Sequence, residues 1–274
     1  MQSFKIFIIN SLIFLGQRTF FGRGKLRRLL IKIIKIIIFN NLIKNSIPKD
    51  FVTLVLGVPF IFIVDKLMCL KFYLRVSEKK EIFFIKKNTT DNTVFFDIGA
   101  NIGIYTQMVA SSFDKIKNST IIAIEPDPSN VFRIKQNLSL LEKKIPNIFS
   151  LVKIEECGVG DSNQEMYLDK NYGFAQNRVI DFYKKNTIKI KVKTLLDIIE
   201  VYKISHITNL KIDIEGYEDK ALLPFFKDAG KELYPKNIII EHSFTGMSNV
   251  NYLNSIGYKI FYINKVNAIL QLQK

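Results

Sequence analysis

The sequence has few of the residues that build metal centres and disulfide frameworks. It contains only two histidines and two cysteines in 274 residues. Cys69 and Cys157 lie far apart in apolar surroundings, so we expect buried thiols in a reducing compartment and no disulfide. A metal site built from several histidines is not expected, because the sequence has only two.

Motifs that hold polyphosphate ligands are also missing. The sequence contains neither G-x-G-x-x-G, the fingerprint of dinucleotide-binding folds, nor G-x-x-x-x-G-K-[ST], the phosphate-binding loop. These absences argue against the usual nucleotide ligands.

Apolar runs long enough to cross a membrane are lacking as well. Residues 4–15 resemble the apolar part of a signal peptide, but no A-x-A-like cleavage site follows them. Residues 51–64 are almost continuously apolar, but Gly57 and Pro59 interrupt a run that is already too short to span a bilayer. We therefore expect a cytoplasmic protein that is at most peripheral to a membrane.

Positive charge is concentrated in the first fifth of the chain. Residues 1–50 hold ten lysines and arginines against one acid, and so carry +9 of the formal net charge of +15. Residues 23–38 place four cations on one arc of a predicted helix and leucines and isoleucines on the other side, the cations being Lys25, Arg28, Lys32 and Lys35. Such a basic amphipathic helix suits either an anionic membrane surface or packing against the main domain. A nucleic-acid-binding arm is a third alternative.

One strand-turn-helix stretch organises the rest of the chain. Residues 94–98 form a short apolar run typical of a buried parallel strand. The turn that follows contains Gly99, Ala100, Asn101 and Gly103. Glycines let the backbone approach a ligand closely, and the helix start offers unpaired N–H groups. The acid Asp97 favours a ligand with a cationic group, such as S-adenosylmethionine, which carries an ammonium and a sulfonium.

Strands and helices then alternate. Strands are predicted at 94–98, 121–125, 150–154, 209–214 and 237–241, and helices at about 104–113, 128–142, 193–203 and 217–229. This alternation predicts an α/β fold with a parallel sheet wrapped by helices and ligands at the carboxyl ends of the strands. We divide the chain into a basic segment (1–50), adapter strands with a short helix (51–90) and a main domain (91–274).

Acidic residues at two further strand ends could contact the same ligand as the glycine turn. Glu125, with Pro126 behind it, ends the second strand and could accept hydrogen bonds from both hydroxyls of an adenosine ribose. Gly160 and Asp161 close a later strand and could meet a flat adenine ring. A helix-capping acid at 125 and a tight turn at 160–161 are the alternative interpretations.

Two further strand ends carry candidate catalytic groups. Asp213 and Glu215 alternate on one side of a strand that is just ending, so both carboxylates can face one cleft. Paired acids repel each other unless they share a proton, a metal or a cationic ligand. The last predicted strand finishes in the acid Glu241, and His242 follows it. His242 is a candidate general base, or else a hydrogen-bonded edge residue. Glu218 is expected in the first turn of the next helix, where it complements the dipole.

These motifs together resemble FkbM-family methyltransferases. The resemblance covers roughly residues 78–260 and is carried by Asp97-Ile98-Gly99-Ala100-Asn101-Ile102-Gly103, Glu125-Pro126, Lys211-Ile212-Asp213-Ile214-Glu215-Gly216-Tyr217-Glu218 and Ile240-Glu241-His242. It implies a Rossmann-like class I domain with a mostly parallel seven-stranded sheet and helices on both faces. The N-terminal basic segment is not part of the family core.

The resemblance also implies a reaction. The domain would use S-adenosylmethionine to methylate a hydroxyl of a sugar, glycan or secondary metabolite. By the family pattern, Asp97, Gly99, Asn101 and Gly103 would line the methionine end of the cofactor, Glu125 would meet the ribose, and Asp213 and Glu215 would lie beside the transferred methyl. A divalent ion held by these last two acids is a minor alternative.

Two other classes stay open. A nucleic-acid methyltransferase is suggested by the basic charge, but the sequence has no N-P-P-[YF] motif and no Pro-Cys nucleophile. A membrane-associated binding module that has kept the fold without activity is the other.

Overall fold

The computed structural model describes residues 6–11, 13–14, 50–63, 78–170 and 177–273. These residues belong to two compact units, 1–79 and 80–274. The predicted basic helix at 23–38 lies outside the described residues. Our division of the chain at residues 50 and 90 stays a prediction.

The first unit contains a β-hairpin. Strands β1 (Asp50–Val55) and β2 (Val58–Ile63) pair antiparallel, with Val55 opposite Val58. Leu56 and Gly57 form the connection with φ values of 50° and 82°, as a two-residue hairpin turn with left-handed residues requires. Residues 6–11 and 13–14 are helical. Within the described part of the chain, we find no helix of the length and apolar character needed to cross a membrane.

The second unit is built on a seven-stranded sheet. Its strands are β3 (Val94–Ile98), β4 (Thr120–Ile124), β5 (Val152–Glu155), β10 (Asn209–Ile212), β11 (Asn237–Glu241), β12 (Tyr258–Ile263) and β13 (Asn267–Leu272). They lie in the order β12-β13-β11-β10-β3-β4-β5. All neighbours are parallel except β13, which runs antiparallel to both β11 and β12. This arrangement confirms the predicted class I Rossmann-like fold.

Helices connect these strands. They are α1 (Lys79–Lys87), α2 (Ile104–Ala110), α3 (Pro128–Ser139), α4 (Ile148–Leu151), α5 (Leu195–Val201), α6 (Glu218–Asp228) and α7 (Ser248–Ser255). Every residue of β3 and of β10 is buried, as expected for central parallel strands covered on both faces. The sheet order reverses between β3 and β10, and ligands of open α/β sheets bind at such a switch point.

A second, four-stranded sheet was not predicted. It contains β6 (Gly158–Val159), β7 (Gln164–Asp169), β8 (Arg178–Ile180) and β9 (Thr187–Lys193), in the order β6-β9-β7-β8. It has a small core of its own around Met166, Leu168, Ile190 and Val192. The sheet lies in the chain between β5 and α5, where the sequence analysis singled out only Gly160 and Asp161.

Candidate active site

The glycine turn after β3 is pressed against the end of β10. Gly99 has a φ of 72°, and a Cβ atom at this position would lie only 2.0 Å from the carbonyl oxygen of Asp213. The amide of Asp213 in turn donates to the carbonyl of Ile98 at 3.2 Å. Only glycine allows both the left-handed backbone and this close approach. The turn that was predicted to hold a ligand is therefore packed directly against the predicted catalytic strand end.

Asp97 fixes the beginning of the helix that follows the turn. Its side chain is completely buried, and its Oδ2 accepts hydrogen bonds from the amide and the hydroxyl of Thr106 at 2.9 and 2.6 Å. Burial raises the pKa of Asp97, while Lys211 and Thr106 oppose this shift. Its Oδ1 accepts no hydrogen bond from the described residues. One carboxylate oxygen therefore remains able to accept a donor from a ligand.

Glu125 ties the glycine turn to α3. Its Oε2 accepts from the amide of Asn101 at 2.8 Å, and its Oε1 accepts from the amide of Asp127 at 3.0 Å and the side-chain amide of Asn130 at 3.1 Å. Burial raises the pKa of Glu125 to about 7. A carboxylate offers about four acceptor positions, so three protein donors leave room for one hydroxyl on Oε2. Pro126, directly behind it, is half-buried.

Lys211 lies between the turn and the end of β10. Its side chain is buried, and its Nζ donates to the carbonyl of Gly99 at 2.9 Å. The same ammonium lies 3.5 Å from Oδ2 of Asp213 and 4.0 Å from Oδ1 of Asp97. It also lies 5.6 Å from the ring centroid of Tyr105. One cation thus contacts both the predicted cofactor residues and the predicted catalytic residues.

Three carboxyl groups meet at the ends of β10 and β11. Asp213, Glu215 and Glu241, which we call the acidic trio, are each half-buried and offer oxygens that all lie within 4.8 Å of one another. Glu215 has a φ of 58°. Glu218 holds the loop in this shape, because its Oε1 accepts from the amides of Ile214 at 2.9 Å and Gly216 at 3.4 Å.

The acidic trio retains protons near neutral pH. Burial and then the charge of Asp213 raise the pKa of Glu215 to about 7. The same two causes, in the same order, raise the pKa of Glu241 to about 8. Ser243 donates its hydroxyl proton to Oε1 of Glu241. The trio can therefore exchange a proton with a bound hydroxyl, and its spacing also admits a divalent cation.

His242 is connected to the turn between β12 and β13. Its Nε2 lies 2.9 Å from the carbonyl oxygen of Asn264. A carbonyl only accepts, so Nε2 is the donor in this contact. Its backbone amide donates to the carbonyl of Val266 at 2.8 Å. These contacts give His242 an anchoring role, and its proposed catalytic role stays a prediction.

Gly160 and Asp161 contact the start of α6. A Cβ atom at Gly160 would lie 2.8 Å from Val192 and 3.3 Å from the ring of Tyr217, so this glycine permits close packing beside the loop of the acidic trio. The exposed carboxylate of Asp161 forms an ion pair with Lys220 at 3.1 Å. These contacts do not involve the glycine turn or Glu125, and the proposed adenine contact stays a prediction.

Sequence comparison identifies the domain that carries this site. The sequence model of the methyltransferase FkbM domain matches residues 97–272, which is more than half of the chain and includes the glycine turn and the acidic trio. The chain belongs to the FkbM methyltransferase family. A search of curated proteins found no match.

Solved structures similar to this FkbM methyltransferase include other methyltransferases. A methyltransferase FkbM from Methylobacillus flagellatus KT shares 19% identity with a TM-score of 0.45, and the match covers 77% of this chain but only 54% of that protein. A methyltransferase from Geobacter sulfurreducens shares 12% identity over 96% of both chains with a TM-score of 0.43. An rRNA methylase from Streptococcus thermophilus shares 12% identity, covers 71% of this chain and 95% of its own, and has a TM-score of 0.39. The family assignment rests on the domain match over residues 97–272.

Three residues of this methyltransferase site were not predicted as site residues. Glu241 was named only as part of the Ile240-Glu241-His242 motif, and its position beside Asp213 follows only from the pairing of β10 with β11. Lys211 precedes Asp213 by two residues, and the same-side rule for strands could have found it. Asp127 caps α3 and binds Lys170 and Asn177. These two contacts could not be predicted without knowing the four-stranded sheet, because Lys170 and Asn177 lie next to its strands β7 and β8.

Proposed function

We propose that the protein transfers a methyl group from S-adenosylmethionine to a hydroxyl oxygen of a sugar, glycan or secondary metabolite. The observation that supports this most is the acidic trio lying directly beside the glycine turn at the switch point of the sheet. A methyl acceptor hydroxyl must lose a proton as its new bond forms, and carboxyl groups next to the cofactor site can accept it.

The residues at the turn fit this cofactor. Asp97 keeps one buried oxygen that accepts no hydrogen bond from the described part of the chain, which suits a cationic donor. Gly99 lets the turn pack against the carbonyl oxygen of Asp213, and Asn101 and Gly103 continue the turn. Glu125 retains acceptor capacity for a ribose hydroxyl. When bound, S-adenosylmethionine supplies a methyl group on a positively charged sulfur, which becomes a neutral thioether after transfer.

We assign proton acceptance to the acidic trio. Asp213 lies against the ammonium of Lys211, and Glu241 and Glu215 have raised pKa values that keep a proton within the trio near neutral pH. The acceptor hydroxyl would give its proton to Asp213 while the chain holds the acceptor oxygen in line with the methyl group. Because the trio is half-buried, the electrostatic interaction between Asp213 and the acceptor hydroxyl is stronger than it would be in water.

The test combines cofactor binding with turnover. We expect Asp213→Asn and Glu215→Gln to lower kcat by roughly 100-fold or more, with affinity for S-adenosylmethionine within a few-fold of wild type in calorimetry. Glu165→Gln is the control, because this exposed acid pairs with Lys189 in the second sheet. Labelled cofactor incubated with fractionated glycans, glycolipids, small hydroxylated metabolites and RNA identifies the acceptor by mass spectrometry. Full turnover in both variants, or label only in RNA, would contradict the proposal.

We also propose that the basic segment at residues 23–38 attaches the protein to an anionic membrane surface. Its four cations on one arc support this, since each lysine or arginine near an anionic surface adds about 1 kcal/mol of attraction.

A further inference from the structure

Lys211 is a buried cation whose contacts join the two halves of the site. It stands on β10, with all four residues of the strand buried. Its ammonium donates to Gly99 on the turn and lies against Asp213 of the acidic trio and near Asp97. Burying an ammonium is costly unless acids and acceptors surround it. Among the described residues, one carbonyl and two carboxylates are some of the groups that surround this side chain.

A tie between the turn and β10 needs only a hydrogen-bond donor. Gly99 and β10 are already joined by the hydrogen bond from the amide of Asp213 to Ile98 and by the packing at Gly99. The full positive charge of Lys211 therefore needs another explanation. Asp97 and the acidic trio concentrate carboxyl groups around the region where the proposed cofactor would present its positively charged sulfur.

Those carboxyl groups alone would favour the reactant over the product. S-adenosylmethionine and its demethylated product both carry the methionine ammonium and carboxylate, and they differ in charge only at the sulfur. An uncompensated acidic site would bind the sulfonium more tightly than the neutral thioether. Interactions that stabilise the reactant more than the transition state slow the reaction, and a fixed cation reverses this bias as the charge on sulfur disappears.

We propose that Lys211 is a positioning residue that sets the charge balance of the cofactor site, so that the site does not favour the sulfonium cofactor over its neutral thioether product. The inference rests on the proposed use of S-adenosylmethionine. Lys211 touches neither reacting atom in this role. It holds the carbonyl of Gly99 and offsets the carboxylates of Asp97 and Asp213.

Three substitutions separate charge from hydrogen bonding. Lys211→Arg keeps the charge, Lys211→Gln keeps a donor for the Gly99 carbonyl but removes the charge, and Lys211→Met removes both. The matched control is Lys189→Gln, which removes one charge from an exposed ion pair with Glu165 in the second sheet.

Calorimetry on the full chain measures the dissociation constants of S-adenosylmethionine and S-adenosylhomocysteine for each variant. Measurement at pH 8.5 limits compensation by proton uptake on the trio. The informative quantity is the dissociation constant of S-adenosylhomocysteine divided by that of S-adenosylmethionine. We expect it to rise at least about fivefold in Lys211→Gln and Lys211→Met, because two unit charges about 4 Å apart interact by this much even in bulk water and more strongly in a buried site. We expect it to stay within twofold in Lys211→Arg and Lys189→Gln.

The outcomes separate the two proposals. If both ligands weaken together in Lys211→Gln and Lys211→Met and the ratio is unchanged, Lys211 is only a structural tie and the inference is overturned. If Lys211→Met does not fold, as shown by the absence of a melting transition, the comparison of the Kd ratio between Lys211→Gln and Lys211→Arg decides the same question. If the folded wild-type protein binds neither ligand, the proposed function fails, and the inference fails with it.

Discussion

Replacing Gly99 with alanine should damage the site more than its backbone angle alone predicts. Its φ of 72° places an alanine in the left-handed region, which costs about 1–2 kcal/mol for a residue with a side chain. The added Cβ would also lie 2.0 Å from the carbonyl oxygen of Asp213. Relieving this overlap requires the ends of β3 and β10 to separate, for which overpacking in cores suggests a further cost of about 1–3 kcal/mol.

Gly246→Ala provides the matched control. Gly246 has a φ of 62° and no atom within 4 Å of its prospective Cβ, so the substitution carries the backbone cost without the overlap. For a unit of this size, about 1 kcal/mol lowers Tm by about 2–4 °C. We expect Tm to fall by about 4–20 °C for Gly99→Ala and by about 2–8 °C for Gly246→Ala, with the larger fall at Gly99.

Turnover separates the two variants further. Displacing the turn by about 1 Å relative to the acidic trio should lower kcat/KM by about 100-fold in Gly99→Ala, whereas Gly246→Ala should retain most of it. Equal Tm and equal kcat/KM in the two variants would refute the reasoning, because the close approach of the two strand ends would then have no consequence.

Three further predictions concern the acidic trio, its loop and the basic segment. The pKa of Glu241 is about 8 in the folded protein and ordinarily about 4.5, so between these pH values the folded state holds a proton that the unfolded chain releases. The free energy of unfolding should therefore fall as pH rises from about 4.5 to 8. Glu241→Gln should flatten this dependence in urea titrations, and an unchanged slope would contradict the raised pKa. Glu218→Ala should cost about 1–3 kcal/mol in urea unfolding, because it leaves two loop amides without their acceptor, whereas Glu218→Gln should retain most of the stability. Deleting residues 1–45 should abolish sedimentation with anionic vesicles while leaving cofactor affinity unchanged, and equal sedimentation would sink the membrane proposal.

A chelation experiment tests the alternative use of the acidic trio. The repulsion among its carboxyl groups is already reduced by bound protons and by the ammonium of Lys211. The trio therefore does not require a metal ion, and turnover should survive dialysis against EDTA. A loss of turnover that Mg²⁺ restores would assign Asp213, Glu215 and Glu241 to a divalent cation, which lowers the pKa of a bound hydroxyl by a different route.

The sequence predicted those parts of the fold whose signals are local. The strand at 94–98 and the start of its helix at 104 are found as predicted, because a continuous apolar run and a glycine turn specify both. The strand predicted at 150–154 lies at 152–155, since residues 148–151 form a helical turn. The second sheet was missed, although the alternation of isoleucine or valine with lysine in β9 is typical of a half-buried strand.

The site was predictable to the extent that its residues follow one another in the chain. Gly99 and Asp213 each belong to a motif that can be recognised alone, but their contact depends on β3 lying next to β10. Glu241 joins the trio only because β11 lies on the other side of β10. A strand order cannot be read from local periodicity, so the third carboxyl group was assigned no role.

Lys211 belongs to a recognised motif, but its role could not be predicted from that motif. In the sequence it stands between the apolar residues Leu210 and Ile212, where an ammonium would be destabilising without partners. Its partners come from three different segments: Asp97 from β3, Gly99 from the turn and Asp213 from the end of β10. The strand order that brings these carboxylates together at the switch point therefore also places a cation between them. A substitution at Lys211 should thus be judged by the ratio of two ligand affinities, because stability alone would report only the buried ion pair.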